Sequence, residues 1–267
     1  MRVGVCGLGR MGQAFAISLE EHGHQVIRWN RSPRPGYEPT GLEVLATAEA
    51  IVVMVLDGKA SADVLAGLIQ YVEPGTLVIN ASTIAPTESL DLAGRAIEAG
   101  LRYVEAPVLG SIPAVRGGTL RVLAGGSTED VAAARALLQC WTSNGDIRHT
   151  GPIGTATAAK LVANLSLGVV AAGLHDAVQL GESLGLDRAL VLDVLSGGAF
   201  ARLVTGKRER LDSGDYAAAD FTVGALRKDL GLALAAARSP LPMATAAHAL
   251  LDVDAAADIS IMGQAGG

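Results

Sequence analysis

The stretch VGVCGLGRMGQAFAISLEEHG, Val3–Gly23, decides how the rest of the chain reads. Gly7, Gly9 and Gly12 stand in the pattern G-x-G-x-x-G between a short apolar run and a segment of helical spacing. In a chain with 33 glycines the spacing alone is weak, but its position directly after a strand-like run and at the head of a helix is what a nucleotide-binding turn requires. Glycines there permit the tight turn, the approach of backbone to a pyrophosphate and close helix-to-strand packing, while free N–H groups at the helix start face the anion. Leu8, Arg10 and Met11 fall within the same expected cradle.

The second strand should end roughly 20 residues further on, where an acidic side chain holds the ribose hydroxyls of NAD. This chain has Trp29-Asn30-Arg31-Ser32 there. Asn30 removes the charge that would repel a 2′-phosphate, and Arg31 with Ser32 offers a guanidinium and a hydroxyl to bind one, so NADPH is the implied cofactor. The plain alternative for NRSPRP is a solvated turn.

Outward from this point, to about residue 150, short β-branched runs alternate with alanine-rich helical segments, the pattern of βαβ units and a parallel sheet. The expected strands are RVGVC, QVIRWN, AIVVMVL, TLVINAS, RYVEAPV and LRVLAGG. The clearest expected helices are 13–21, 60–71, 87–99 and 130–138. After HTGPIGTATAAK everything reads as helix, beginning with a long one over about 155–184 and broken at Gly197-Gly198, Gly214 and Pro240 to Pro242. The expectation is an α/β Rossmann domain over 1–152, then an all-α domain over 153–267, joined by a long interdomain helix.

Composition narrows the function classes. The 267 residues are 50% hydrophobic, 18% charged and only 3% aromatic, so the core rests on alanine, valine and leucine. A net charge of −6 supplies no general basic field for nucleic acid or an anionic membrane. Two cysteines are too few for a disulfide framework, and the first residues run straight into a strand without a leader, which predicts a cytoplasmic protein. The apolar run Leu161–Leu174 contains Asn164 and falls short of the roughly 20 residues a membrane crossing needs, so a buried helix is expected. Five scattered histidines without H-x-x-x-H give no metal site, and no G-x-S-x-G elbow marks a serine nucleophile.

Two further segments carry chemistry. NASTIAP follows the TLVINAS strand, so Ser82 and Thr83 can reach a nicotinamide ribose or carboxamide; as an alternative they cap a helix that has Pro86 in its first turn. In GTATAAKLVANLSLG, Lys160 and Asn164 stack on one helical face in otherwise apolar surroundings, where both need partners. A ligand is one; a lysine snorkelling at the helix edge is the plainer account. Lys228, beside Asp229 in LRKDLGLAL, reads by itself as an ordinary surface pair.

Taken in order, GLGRMG, WNRS, NASTIAP, EAPVLGS, GGTLRVLAGG, AAKLVAN and FTVGALRKDL resemble the β-hydroxyacid dehydrogenase superfamily, which includes 3-hydroxyisobutyrate dehydrogenases and semialdehyde reductases. The resemblance implies a Rossmann domain followed by a helical one, and a homodimer or homotetramer packed through the helical domains. It implies catalysis by Lys160 with Asn164 as its amide partner. The implied cofactor contacts are Gly7, Leu8, Gly9, Arg10, Met11, Gly12, Asn30, Arg31, Ser32, Leu56, Asp57, Thr83 and Lys228, with Leu109, Gly110, Ser111, Lys160 and Asn164 around the substrate.

Three positions depart from the family pattern. Leu109 stands where APVSG has serine, which weakens carboxylate recognition and favours a less polar substrate. Ala163 replaces the first asparagine of KLxNN. The segment from Arg31 to Ile51 is roughly ten residues short, which leaves the edge of an adenine pocket open.

The expected reaction is NADPH-dependent reduction of an aldehyde or ketone, with Lys160 giving the proton and its apolar surroundings lowering its pKa toward neutrality. Imine reductases share this architecture and usually lack the lysine. In this chain Lys160 argues against that reaction, because an iminium about 4 Å from its ammonium would be repelled by roughly 4 kcal/mol at an effective dielectric of 20 unless the lysine is neutral. A third reading is an NADP-binding interaction module without activity.

Overall fold

A computed structural model describes residues 1–142 and 145–264. The chain divides into two compact units, Met1–Lys160 and Leu161–Gly267.

The first unit is built in chain order from β1 (Arg2–Cys6), α1 (Arg10–Glu21), β2 (Gln25–Trp29), β3 (Ala50–Val53), α2 (Gly58–Leu68), β4 (Leu77–Asn80), α3 (Pro86–Glu98), β5 (Arg102–Glu105), β6 (Val108–Leu109), α4 (Ile112–Arg116), β7 (Arg121–Gly125), α5 (Thr128–Leu138) and β8 (Ile147–Gly151). The strands form one sheet in the order β2-β1-β3-β4-β5-β7-β6, with β8 also paired to β7. From β2 to β5 every pairing is parallel. Continuous apolar strands suit this sheet because both faces are covered. Val3, Val5, Ala50 and Val52 pack on one side with Phe15 and Leu19 of α1, while Cys6, Ile51 and Val53 pack on the other with Leu65 and Leu68 of α2. On the first side Phe15 stacks on Trp141 with ring centroids 4.0 Å apart.

The far edge adds antiparallel pairings to the expected parallel sheet. RYVEAPV is not one strand: it breaks at Ala106-Pro107, β7 runs antiparallel to β5, and β6 pairs antiparallel to β7. Proline cannot donate to a ladder, so the run divides at Pro107, and the short return from Leu109 to Arg121 brings β7 back beside β6 as an antiparallel neighbour. That connection contains α4, and the sheet gains β8; the sequence reading proposed neither.

The long helix α6 (Thr155–Ser183) is followed by α7 (Arg188–Ser196), α8 (Ala201–Gly206), α9 (Arg208–Ser213), α10 (Val223–Ala236) and α11 (Pro242–Leu250). By length and composition α6, at 29 residues and mean hydropathy 1.5, is long enough to cross a membrane, which corrects the length argument made on the shorter apolar run. Ala171, Leu174 and Val178 of α6 instead form the second unit's core with Val191, Val204, Leu226 and Leu230. Gly168 lets α10 come close, since a Cβ there would lie 2.6 Å from Leu230 Cδ1. Lys207 Nζ is 2.9 Å from both Asp220 Oδ2 and Asp258 Oδ2, which fastens the C-terminal segment to α8 and α9.

Candidate active site

The carboxyl ends of the parallel strands converge on one sheet edge. The strand order turns at β1, which lies between β2 and β3, and ligands of open α/β sheets sit at such a switch point. Each glycine after β1 has a separate physical reason. Gly7 has φ +97°, and a Cβ there would lie 2.1 Å from Met54 O. At Gly12 a Cβ would lie 1.8 Å from Gly7 O, so α1 can start against the strand only with glycine there. At Gly9 an added Cβ meets nothing within 4 Å; its outer side is open space. Gly9 is also the N-cap of α1 and supplies no capping side chain, and the first turn of α1 has no acidic residue. An uncapped helix start beside an open glycine suits an anion, so these residues fit the pyrophosphate of a dinucleotide.

Asn30 works differently from the sequence reading, which gave it only the absence of a charge. It is buried, its Oδ1 accepts from Leu8 N at 2.9 Å, and its Nδ2 donates to Ser32 O at 2.6 Å. It therefore ties the glycine turn to the end of β2. Arg31 and Ser32 are exposed. The shortened segment after them folds back: Tyr37 pairs with Arg34, its hydroxyl accepts from Asn30 N at 3.0 Å, and Trp29 Nε1 donates to Thr40 O at 2.9 Å.

Among the remaining cofactor candidates, Leu56 is 70% exposed past β3, and Asp57 is the N-cap of α2, accepting from Ala60 N at 2.8 Å. Ser82 is a correction. It is buried, its Oγ accepts from Val55 N at 3.0 Å and its amide donates to Asn80 Oδ1 at 3.0 Å, so it joins strand ends instead of facing a ligand. Thr83 is partly exposed beside it. Neither caps α3: its N-cap is Ala85, whose amide donates to Glu88 Oε2 at 2.7 Å, with Pro86 first in the helix.

Leu109 ends β6 half-buried, Gly110 is exposed at φ +128°, and Ser111 is the N-cap residue of α4 without a side-chain capping bond. A side chain at Gly110 would be strained by its positive φ, and a Cβ there would press on Leu120 Cδ2.

On α6, Lys160 is 9% exposed and Asn164, one turn later, 4% exposed. In the second unit, Asn164 Nδ2 donates to Asp229 Oδ2 at 2.5 Å. An ionised carboxylate only accepts, so this bond orients the amide with its NH₂ toward Asp229 and leaves Oδ1 as an acceptor. Asp229 Oδ1 lies 2.8 Å from Lys228 Nζ. The pair is therefore not the surface pair read from the sequence: Asp229 is only 2% exposed. The sequence reading missed Asp229 as the anchor of Asn164, and a carboxylate in the middle of an apolar helix was the available signal. Among the described residues no group of three His, Cys, Asp or Glu could hold a metal ion.

Comparison with known proteins identifies the family. A family model for the NAD-binding domain of 6-phosphogluconate dehydrogenase matches residues 2–151. A second, described as NAD-binding of NADP-dependent 3-hydroxyisobutyrate dehydrogenase, matches residues 154–261. The 3-hydroxyisobutyrate dehydrogenase of Pseudomonas aeruginosa is 33% identical over 94% of this chain and 91% of its own. The Mycobacterium tuberculosis 3-hydroxyisobutyrate dehydrogenase solved with L-serine superposes with a TM-score of 0.84 at 25% identity, covering 98% of this chain and 97% of that one. An imine reductase from Pseudomonas sp. shares the fold at a TM-score of 0.65 and 24% identity, covering 98% and 97%. The chain is a nicotinamide-dependent oxidoreductase and belongs to the β-hydroxyacid dehydrogenase superfamily.

Proposed function

We propose that this protein interconverts a small aldehyde or ketone and the corresponding alcohol or hydroxy acid, with Lys160 as general acid in reduction and base in oxidation. When bound, NADPH supplies the hydride for the carbonyl carbon. Lys160 gives a proton to the carbonyl oxygen as negative charge builds there. The observation that carries this reading is the buried pair Lys160 and Asn164, one helical turn apart, with the Asn164 amide oriented by Asp229. Asn164 Oδ1 is left to accept from the substrate hydroxyl or from the ammonium.

Lys160→Ala should lower turnover with a semialdehyde by at least about 100-fold while NADPH still binds. Unchanged turnover would remove the lysine from the mechanism. Leu109 favours the rival reaction, imine reduction, because leucine supplies no hydrogen bond for a carboxylate. NADPH oxidation measured side by side with semialdehydes and cyclic imines separates the two, and an imine rate without a carbonyl rate would reverse the assignment.

The preference for NADPH rests on the absence of a carboxylate after β2 and on the exposed Arg31 and Ser32. Arg31→Ala should raise the KM for NADPH about 10-fold and leave that for NADH unchanged, in line with the loss of one charge-assisted hydrogen bond. Equal effects on both cofactors would mean that Arg31 does not read the 2′-phosphate. We further propose a cytoplasmic homodimer or homotetramer joined through its helical unit, which offers exposed leucines at the end of α6 and on α7.

A further inference from the structure

Glu105 is a charged residue at the end of a buried strand, fully shielded from solvent. Its carboxylate is surrounded by donors: Ser89 Oγ at 2.7 Å from Oε2, Thr157 Oγ1 at 3.0 Å from Oε2, and the amides of Ala156 and Thr157 at 2.6 and 3.4 Å from Oε1. A carboxyl group suits this place because its two oxygens can take several hydrogen bonds at once. The first-turn amides of a helix need acceptors, usually from the residue just before it. Before α6 that residue is Gly154, which has no side chain, and Glu105 takes over the task from β5.

Two further features support a built arrangement. Opposite Glu105 in the sheet is Gly125, where a Cβ would lie 2.3 Å from Glu105 Oε1, so a glycine there makes room for the carboxylate. The polar contacts also continue toward the cofactor edge. Earlier on the same strand, the Tyr103 hydroxyl accepts from Asn80 Nδ2 at 3.1 Å, and Asn80 Oδ1 accepts from Ser82 N beside Thr83. Ala156 and Thr157 precede Lys160 by four and three residues, so Glu105 grips the helical face that carries Lys160.

We propose that Glu105 is a positioning residue: it fixes the start of α6 against β5 and α3 and so sets the place of the Lys160 amine. This rests on the assignment of Lys160 as the general acid. The test uses full-length Glu105→Gln, Thr157→Val and Thr157→Ser, each also combined with Lys160→Ala, with kcat, KM, NADPH affinity and melting temperature measured.

Glu105→Gln and Thr157→Val should lower kcat about 10-fold with NADPH affinity within about 3-fold, and Thr157→Ser, which keeps the hydroxyl, should restore kcat to within about 2-fold. In the Lys160→Ala background, Glu105→Gln should cost less than about 2-fold, because both changes remove the same contribution. Should Glu105→Gln fail to fold, the Thr157 pair carries the test. Wild-type kcat in folded Glu105→Gln and Thr157→Val, or full additivity with Lys160→Ala, would overturn the proposal while leaving the lysine's role intact. Normal turnover in Lys160→Ala alone would instead overturn the assignment on which it rests.

Discussion

Leu109 is the single residue through which substrate choice is most directly tested. Leu109 is read from the sequence as standing in place of a serine, and the neighbouring Gly110 has a φ of +128° that favours glycine. Leu109→Ser should therefore improve kcat/KM for a carboxylate-bearing semialdehyde about 10-fold without a gain for an uncharged aldehyde, the worth of one hydrogen bond to a charged group. Equal gains for both substrates would show that the position does not read the carboxylate. Residue-scale reading of the sequence located the glycine turn and Lys160 with Asn164, because spacing is visible in a string of letters. It missed the partners that lie far away in sequence. Asp229 is 65 residues from Asn164, and Glu105 is 51 from Ala156, and no local pattern marks either meeting. Ser82 was misread for the same reason: its partner amide at Val55 is 27 residues away.

Elements were legible where one periodicity dominated. The apolar runs of β1, β3 and β4 and the long α6 follow directly from the sequence, since strands buried on both faces read as hydrophobic stretches. The edge from β5 to β8 did not, because Pro107 divides a run that otherwise reads as one strand and because strand direction is set by connection length and pairing. In the helical unit, buried Asp258 accepts from Lys207, from the amide of Asp220 at 2.9 Å and from the amide of Ser260 at 3.0 Å. Burial alone would raise its pKa, but the Ser260 amide and the Lys207 ammonium outweigh that and hold it below the usual carboxylate value. A depressed folded-state pKa stabilises the fold above the unfolded value of about 3.9 and is lost as pH falls through the folded one. Asp258→Asn should cost about 3 kcal/mol at pH 7, with the wild-type and variant stabilities converging as pH falls through the depressed folded-state value. Urea titrations across that range test this, and an equal gap throughout would exclude ionised Asp258 as the source.

For the whole molecule, assembly is the property with the clearest handle. Leu184 just past α6 is 69% exposed and Val194 on α7 66% exposed, two apolar side chains that a subunit contact would cover. Light scattering should find a dimer or tetramer, and Leu184→Glu combined with Val194→Glu should shift it toward monomer by burying two charges in the contact. A wild-type monomer at micromolar concentration would remove the oligomer proposal. The Asn30 clamp bears on a different matter, the redesign of coenzyme choice. An obvious route to NADH use is to install aspartate at position 30, yet its second oxygen would then confront Ser32 O, where an N–H now donates. That exchange should loosen the phosphate loop along with altering selectivity, so engineering belongs at the two solvent-facing neighbours, Arg31 and Ser32, which can be changed without dismantling the turn.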